Sequence, residues 1–435
     1  MNRKKFLHYT AAIAPFVIAF NAFSCKQRNF FQAFAPDIKF QNRILVLVEL
    51  IGGNDGLNTV IPIDKYNILS SARRDILIPE KKILPLRDTN TFGFHPSLTG
   101  LQSLYNDKLV SVIQGVGYPN PEFSHFRGKG IKYTANTEKE EIRTGWLGRY
   151  LEHDYPNYPK GYPVKPNDGP AAIRIGSVSP KITQFMSKIN KGMEEDLSIG
   201  FTNIEDFNAT ATLPESEMMS ATFANANMDK IRAVSRQIKL YAPIVQDHAN
   251  RQKNLSKRYP EPNKNPLADQ LKTVARLIGS GLNTPVYLVS QTDYDTHSDQ
   301  VDTADTTQGK HATLLKDLSE AITAFEDDLH LMGKQDDVLG MTFSEFGRRI
   351  ACGSYGTDHG TAESAILFGT QLKSGIIGTS PDLPAQVSAE DNLAMQYDFR
   401  SVYKAILGGW FGVPEERIKT IINQGPDEKL DLFKA

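Results

Sequence analysis

Thr284-Pro-Val-Tyr-Leu-Val-Ser-Gln-Thr-Asp-Tyr-Asp-Thr-His-Ser-Asp-Gln300 is the stretch on which the reading of the fold turns. Its first half, through Ser290, is short, apolar and β-branched, the pattern of a buried strand. Asp293, Asp295, His297 and Asp299 follow where that strand should end. In open α/β sheets, ligands bind beyond the carboxyl ends of the strands. Asp293 and His297, four positions apart, offer a hard oxygen and an imidazole to one divalent metal. The same residues also fit a solvated turn whose aspartates cap a helix.

Other segments repeat this layout. Arg43-Ile-Leu-Val-Leu-Val-Glu-Leu50 is nearly all apolar, as a central parallel strand covered on both faces must be. Gly52-Gly-Asn-Asp-Gly follows at once and places Asp55 just past the strand tip. Strands are also expected at Leu109–Ile113, Ala171–Gly176, Asp337–Phe343 and Ala365–Gly369. Helices are expected from His95 to about Asn106, from Ser124, from Gly145, over Pro266–Ser280, over Thr307–Met332 and over 398–422. Strands alternating with helices imply an α/β fold with a mostly parallel central sheet and helices on both faces. Residues 62–95 read as loop with small elements, and about 180–265 as a mainly helical insertion. The expected domain is a single one over 43–425.

The chain has 435 residues, 40% of them hydrophobic, and a net charge of −1. That length supports a large core, and that charge argues against a nucleic-acid partner. Cys25 and Cys352 are the two cysteines, too few for a disulfide framework once the leader is set aside. Arg3, Lys4 and Lys5 followed by an apolar run mark residues 1–25 as an export signal, with 26–42 as lead-in. Arg3-Lys-Lys-Phe-Leu7 resembles a twin-arginine signal with Lys4 in place of the second arginine. The expected location is the periplasm or cell envelope. Membrane attachment would come only through a lipid on Cys25.

Asp55, Asp293, His297 and Glu345 lie just past predicted strands. Ser124, followed by His125, lies at a helix start, and His359 in the glycine-rich loop Gly353–Gly360. In a parallel sheet those positions share one rim. Their donor set suits Zn²⁺ or Mn²⁺. Each has a plainer role: a turn residue for Asp55, an N-cap for Ser124, a core or cleft ring for His125, an ion pair for Glu345 with Arg348.

Five blocks together resemble a family of exported, uncharacterised proteins, domain of unknown function 1501. They are Leu50–Asn58, Ser124–Phe126, Gly145–Arg149, Asp295-Thr-His297 with Gln300, and Ser344–Arg348 followed by Gly356–Gly360. That family is similar to the alkaline phosphatase and sulfatase superfamily. The resemblance implies an alkaline-phosphatase-like fold and a divalent-metal centre. It assigns the metal to Asp55, Asp293, His297, Glu345 and His359, and the nucleophile to Ser124 with His125 beside it. Asp295, Asp358 and Arg348 would orient the ligands. Phe346 stands where the superfamily places a metal histidine, which leaves one metal position better supported than two. The implied activity is metal-dependent hydrolysis of phosphate or sulfate esters, on a small-molecule or polysaccharide substrate. The alternative is a catalytically degenerate member that binds protein partners or assists assembly in the envelope.

Overall fold

β1 (Ile44–Leu50) runs through the middle of the sheet. Leu45, Val46, Leu47 and Val48 are all 0% exposed. Successive strand residues face opposite sides, so both faces of the sheet are covered, and the uninterrupted apolar run follows from that. The computed structural model describes residues 42–138, 142–165, 167–176, 185–190, 193–212 and 228–434. The leader expected over 1–25, Cys25 included, and the lead-in up to residue 41 lie outside the described residues.

Eight further strands complete the sheet. They are β2 (Val110–Gly117), β3 (Ala172–Ile175), β4 (Ser198–Phe201), β5 (Val286–Gln291), β6 (Val338–Phe343), β7 (Glu363–Phe368), β8 (Gly375–Ile377) and β9 (Tyr397–Asp398). Their order is β8-β2-β7-β6-β1-β5-β3-β4, with β9 also on β2. Every pairing is parallel except the two made by β7. The fold is therefore α/β with a mostly parallel sheet.

The helices are α1 (Tyr66–Ala72), α2 (Thr99–Asn106), α3 (His125–Thr134), α4 (Trp146–Asp154), α5 (Ile204–Thr212), α6 (Met228–Arg251), α7 (Pro266–Gly279), α8 (Lys310–Leu331), α9 (Phe399–Ala405) and α10 (Glu415–Ile421). α7 shows how the chain encodes them. Asn265 caps it by accepting the Ala268 amide at 3.0 Å, Pro266 opens the first turn, and Leu267, Leu271, Val274 and Ile278 bury one face. No helix among the described residues is long and apolar enough to cross a membrane.

One local expectation changes, and two gain detail. The helix after His95 begins at Thr99, because the His95 ring accepts the Ser97 amide and its carbonyl accepts the Leu98 amide, closing a turn first. Val60–Pro62, Leu84–Leu86 and Thr89–Phe94 form a small antiparallel sheet in what read as loop. The segment taken as a mainly helical insertion supplies α5 and α6, but also the hairpin Ser187–Asn190/Met193–Asp196 and the edge strand β4. β4 pairs in parallel with β3, Ile199 beside Ile173. Four residues are too few for a strand period to stand out in the sequence.

The register puts Leu50 beside Gln291, Glu49 beside Phe343, and Val116 beside Glu363. The loops after β1, β2, β5 and β6 therefore leave the sheet at one edge.

Glu326 on α8 is a buried carboxyl held by a single bond, donated by Gln335 Nε2 at 2.8 Å to Oε2, while Oε1 has no partner. Burial pushes it up from 4.5 to about 7, against the smaller effect of the Gln335 bond. The folded state thus holds a proton that the unfolded chain releases near its ordinary value. The stability it contributes is full below about pH 4.5 and is lost as pH rises through about 7. Urea unfolding at pH 5 and pH 8 should differ by about 2–3 kcal/mol more in the native chain than in Glu326→Gln.

Candidate metal centre

Gly52 and Gly53, just past β1, have φ of +122° and +86°. A Cβ on Gly52 would lie 2.3 Å from the Asp295 amide nitrogen, and one on Gly53 2.5 Å from the Phe346 ring. Glycine is required at both for backbone conformation and for close approach. The loops after β1, β5 and β6 are pressed together there.

Arg348 locks them. Its guanidinium, 1% exposed, donates from Nε to Gly53 O (2.7 Å), from Nη1 to Thr357 O (2.8 Å), and from Nη2 to Gly52 O, Tyr294 O (3.1 Å) and Asp295 Oδ1 (2.7 Å). A planar donor fork can serve three loops at once, which an ammonium cannot.

Around the Asp295 carboxylate stand three imidazoles. His297 Nε2 is 3.0 Å and His359 Nε2 3.2 Å from Oδ1, His125 Nε2 is 3.3 Å from Oδ2, and His297 Nε2 is 3.0 Å from His359 Nε2. The centre is open to solvent, with about half of the Asp295 and His297 side chains exposed (45% and 46%). Phe346 closes it from beneath, its ring 4.5 Å from that of His359 and 4.8 Å from that of His125.

The hydrogen bonds at the far side of each ring decide what faces inward. Glu345, buried, takes the Gly52 amide at 3.0 Å and His125 Nδ1 at 2.9 Å. Burial pushes its carboxyl up, but the His125 bond, the Lys129 charge and the backbone amides outweigh that and hold it below the usual range. An ionised carboxylate only accepts, so Nδ1 of His125 carries a proton and its Nε2 faces Asp295. His359 Nδ1 donates to Phe123 O at 2.7 Å, which turns its Nε2 lone pair inward too. Burial lowers the His359 pKa, against the raising effect of that bond, and so favours the neutral ring. Asp358 Oδ1 lies 3.5 Å from His297 Nδ1. The Asp295 carboxyl is lifted by burial but brought down to about 2, chiefly by Arg348.

Three ring nitrogens thus gather around one ionised carboxylate. The separations among Asp295 Oδ1, His297 Nε2 and His359 Nε2 are close to the edge of a tetrahedron, about 3.3 Å, around an ion ~2.0–2.1 Å from nitrogen and oxygen ligands. His125 and His359 each have an outer acceptor, as metal-bound histidines do. His125, Asp295 and His359 form one group of potential ligands, and His297, Asp358 and His359 another that overlaps it.

The expected site residues fall into two sets. His297 and His359 meet, with His125 and Asp295 joining as direct members of the cluster and Asp358 behind. Asp293, expected as the carboxylate partner of His297, turns away: its φ is +78°, it is exposed, and its carboxylate accepts the Thr292 hydroxyl at 2.6 Å. Asp295, two residues on, occupies the place expected for it. Asp55 points to neither histidine. It is buried in a bidentate pair with Arg73 (2.8 and 3.1 Å) and accepts Gln300 Nε2 at 2.6 Å. Burial raises the Asp55 pKa, but Arg73 and His311 outweigh it and keep it low. Glu345 acts on His125 rather than as an inward ligand. It forms no helical pair with Arg348, since that segment is loop. Ser124 is the exposed N-cap of α3, its Oγ 3.5 Å from the Arg127 amide. Arg73 had no signal in the sequence, lying 18 residues from its partner.

A family described as Protein of unknown function (DUF1501) matches residues 114–422. The chain belongs to the DUF1501 family. No curated protein matches it in sequence. Among solved structures it is similar to Ps i-CgsB, with 10% identity, a TM-score of 0.34, and coverage of 86% of this chain and 74% of that one. The same protein in complex with k-i-k-neocarrahexaose gives a TM-score of 0.32 at 10% identity, with the same coverage. Alkaline phosphatase from the Antarctic bacterium TAB5 gives 8% identity and a TM-score of 0.30 over 88% of this chain and 98% of that one. These scores are low, and the function proposed below rests on the geometry of the centre in this DUF1501 chain.

Replacing Arg348 with lysine should cost about 3 kcal/mol in denaturant unfolding, since one ammonium leaves several buried carbonyls unpaired. A loss below about 1 kcal/mol would show that the three loops do not depend on the guanidinium.

Proposed function

We propose that this protein is a metal-dependent hydrolase of phosphate or sulfate esters, with one divalent ion held by His125, Asp295, His297 and His359. The observation that carries this is the convergence of three imidazole nitrogens on an ionised carboxylate, with outer acceptors on His125 and His359. Three nitrogens and one oxygen favour zinc over manganese. When bound, such an ion polarises an ester oxygen and stabilises developing negative charge.

The chain's own residues do the rest. Glu345 and Phe123 O fix the angles of the His125 and His359 rings, and the Asp358 carboxylate lies 3.5 Å from His297 Nδ1. Arg348 holds Asp295 ionised and in place. Ser124 adjoins both His125 and Phe123 in the chain, at the start of α3. Free amides and the helix dipole favour an anionic group there. In this reading the Ser124 oxygen attacks phosphorus or sulfur, the ester bond to the alcohol breaks, and the serine proton leaves with the alcohol. Water then releases the anion from serine. A second ion has no place at Asp55, because the Arg73 guanidinium already supplies the positive charge.

Elemental analysis of the purified chain should give about one zinc per molecule. Asp295→Ala and His359→Ala should lose it, together with hydrolysis of 4-nitrophenyl phosphate or sulfate. Asp55→Asn should keep the zinc while losing about 3 kcal/mol of stability, through the orphaned Arg73. Ser124→Ala should keep the zinc and lower turnover at least about a hundredfold. A chain without metal, or with two ions of which Asp55 holds one, would overturn this assignment.

A further inference from the structure

Among the described residues, the large hydrophobic side chains left exposed include three aromatics: Phe123, Phe126 and Tyr355, at 39%, 64% and 40%. In the chain, each stands beside a residue at or packed against the metal centre. The Phe123 carbonyl fixes His359, and Phe126 follows His125 in the first turn of α3. Tyr355 precedes Gly356, where a Cβ would come within 2.4 Å of the His297 backbone. Tyr355 holds a left-handed backbone conformation, φ +63°, between the paired bonds of Gly353 and Gly356 at 2.7 and 3.0 Å. A bulky residue in that conformation is strained, and such strain gathers at ligand sites.

Exposed carboxylates stand among these rings. Asp358 and Glu390 are 59% and 80% exposed, and both meet Arg349, whose guanidinium lies 5.8 Å from the Phe123 ring centre. Carboxylates accept hydrogen bonds. The surface therefore combines flat apolar faces with acceptors for hydroxyl donors. A nucleic acid would need a basic track, and the net charge of −1 does not offer one. A pyranose chain has the matching chemistry: flat C–H faces for the rings, and hydroxyl edges for the carboxylates.

We propose that the ester cleaved at the metal centre is borne by a carbohydrate chain lying across Phe123, Phe126 and Tyr355. This rests on the hydrolase reading above and adds the substrate class to it.

The test is affinity electrophoresis of the full chain in native gels cast with dextran, a galactomannan or a sulfated galactan. The wild-type chain should be retarded by at least one of them. Phe126→Ala and Tyr355→Ser should each weaken that retardation about tenfold at unchanged zinc content, and Phe126→Leu, which keeps bulk but not the ring, should behave like Phe126→Ala. No retardation, or retardation indifferent to all three changes, overturns the proposal. So does ring-dependent binding to single-stranded DNA or to phosphatidylglycerol vesicles in place of glycan. His359→Ala separates the two readings: it should lose zinc and ester hydrolysis but keep glycan retardation. Ring-dependent retardation by a wild-type chain that binds no zinc would remove the hydrolase and leave the glycan surface standing.

Discussion

The Arg348 guanidinium is the interaction on which the rest of the centre depends. It is buried, and it bonds to the loops that follow β1, β5 and β6. Backbone carbonyls at a buried loop junction need donors, and five N–H groups in one plane supply them. The same cation holds the Asp295 carboxyl ionised. One side chain thus sets both the position of the loops and the charge of the group around which the histidines gather.

Charge is distributed over three carboxylates at this sheet edge, and each is balanced differently. Asp295 has Arg348 and remains open to water on the outer side. Glu345 has His125, the Gly52 amide and Lys129 at 4.0 Å. Asp55 has Arg73 and Gln300 and is shut away from solvent. A carboxylate that holds a guanidinium in two-point contact has little left for an ion, whereas Asp295 meets Arg348 through Oδ1 and turns Oδ2 to His125 Nε2 at 3.3 Å. This difference, and not the residue type, separates a structural aspartate from a candidate ligand.

Much of the architecture was legible in the chain. The apolar run Ile44–Leu50 is central because both its faces are buried, and the sequence pattern says so directly. Gly52-Gly53 read as a place of close approach, and it is one. The clustering of polar residues beyond strand ends at His297, Glu345 and His359 was visible for the same topological reason. Asp293 and Asp295 were not separable by spacing. Both follow the same strand, and the positive φ at Asp293 turns its side chain out while the next but one turns in. Phe346, read as a histidine lost from a second metal position, is the floor under His125 and His359. The edge strand β4 and the small sheet at 60–94 were too short to carry a period.

Local sequence by itself determined the strands of the sheet's centre, the helices between them, and the edge at which the polar loops emerge. Those features depend on side-chain periodicity and on glycine, and both are properties of neighbouring residues. Tertiary structure alone decided which carboxylate meets the histidines, that Arg73 takes Asp55, and that Glu345 fixes His125 instead of facing inward. Each is a pairing between residues far apart in the chain, 18 positions for Arg73 with Asp55 and 220 for His125 with Glu345. A buried charge takes whichever partner the packed loops bring within reach, and only the folded chain determines that.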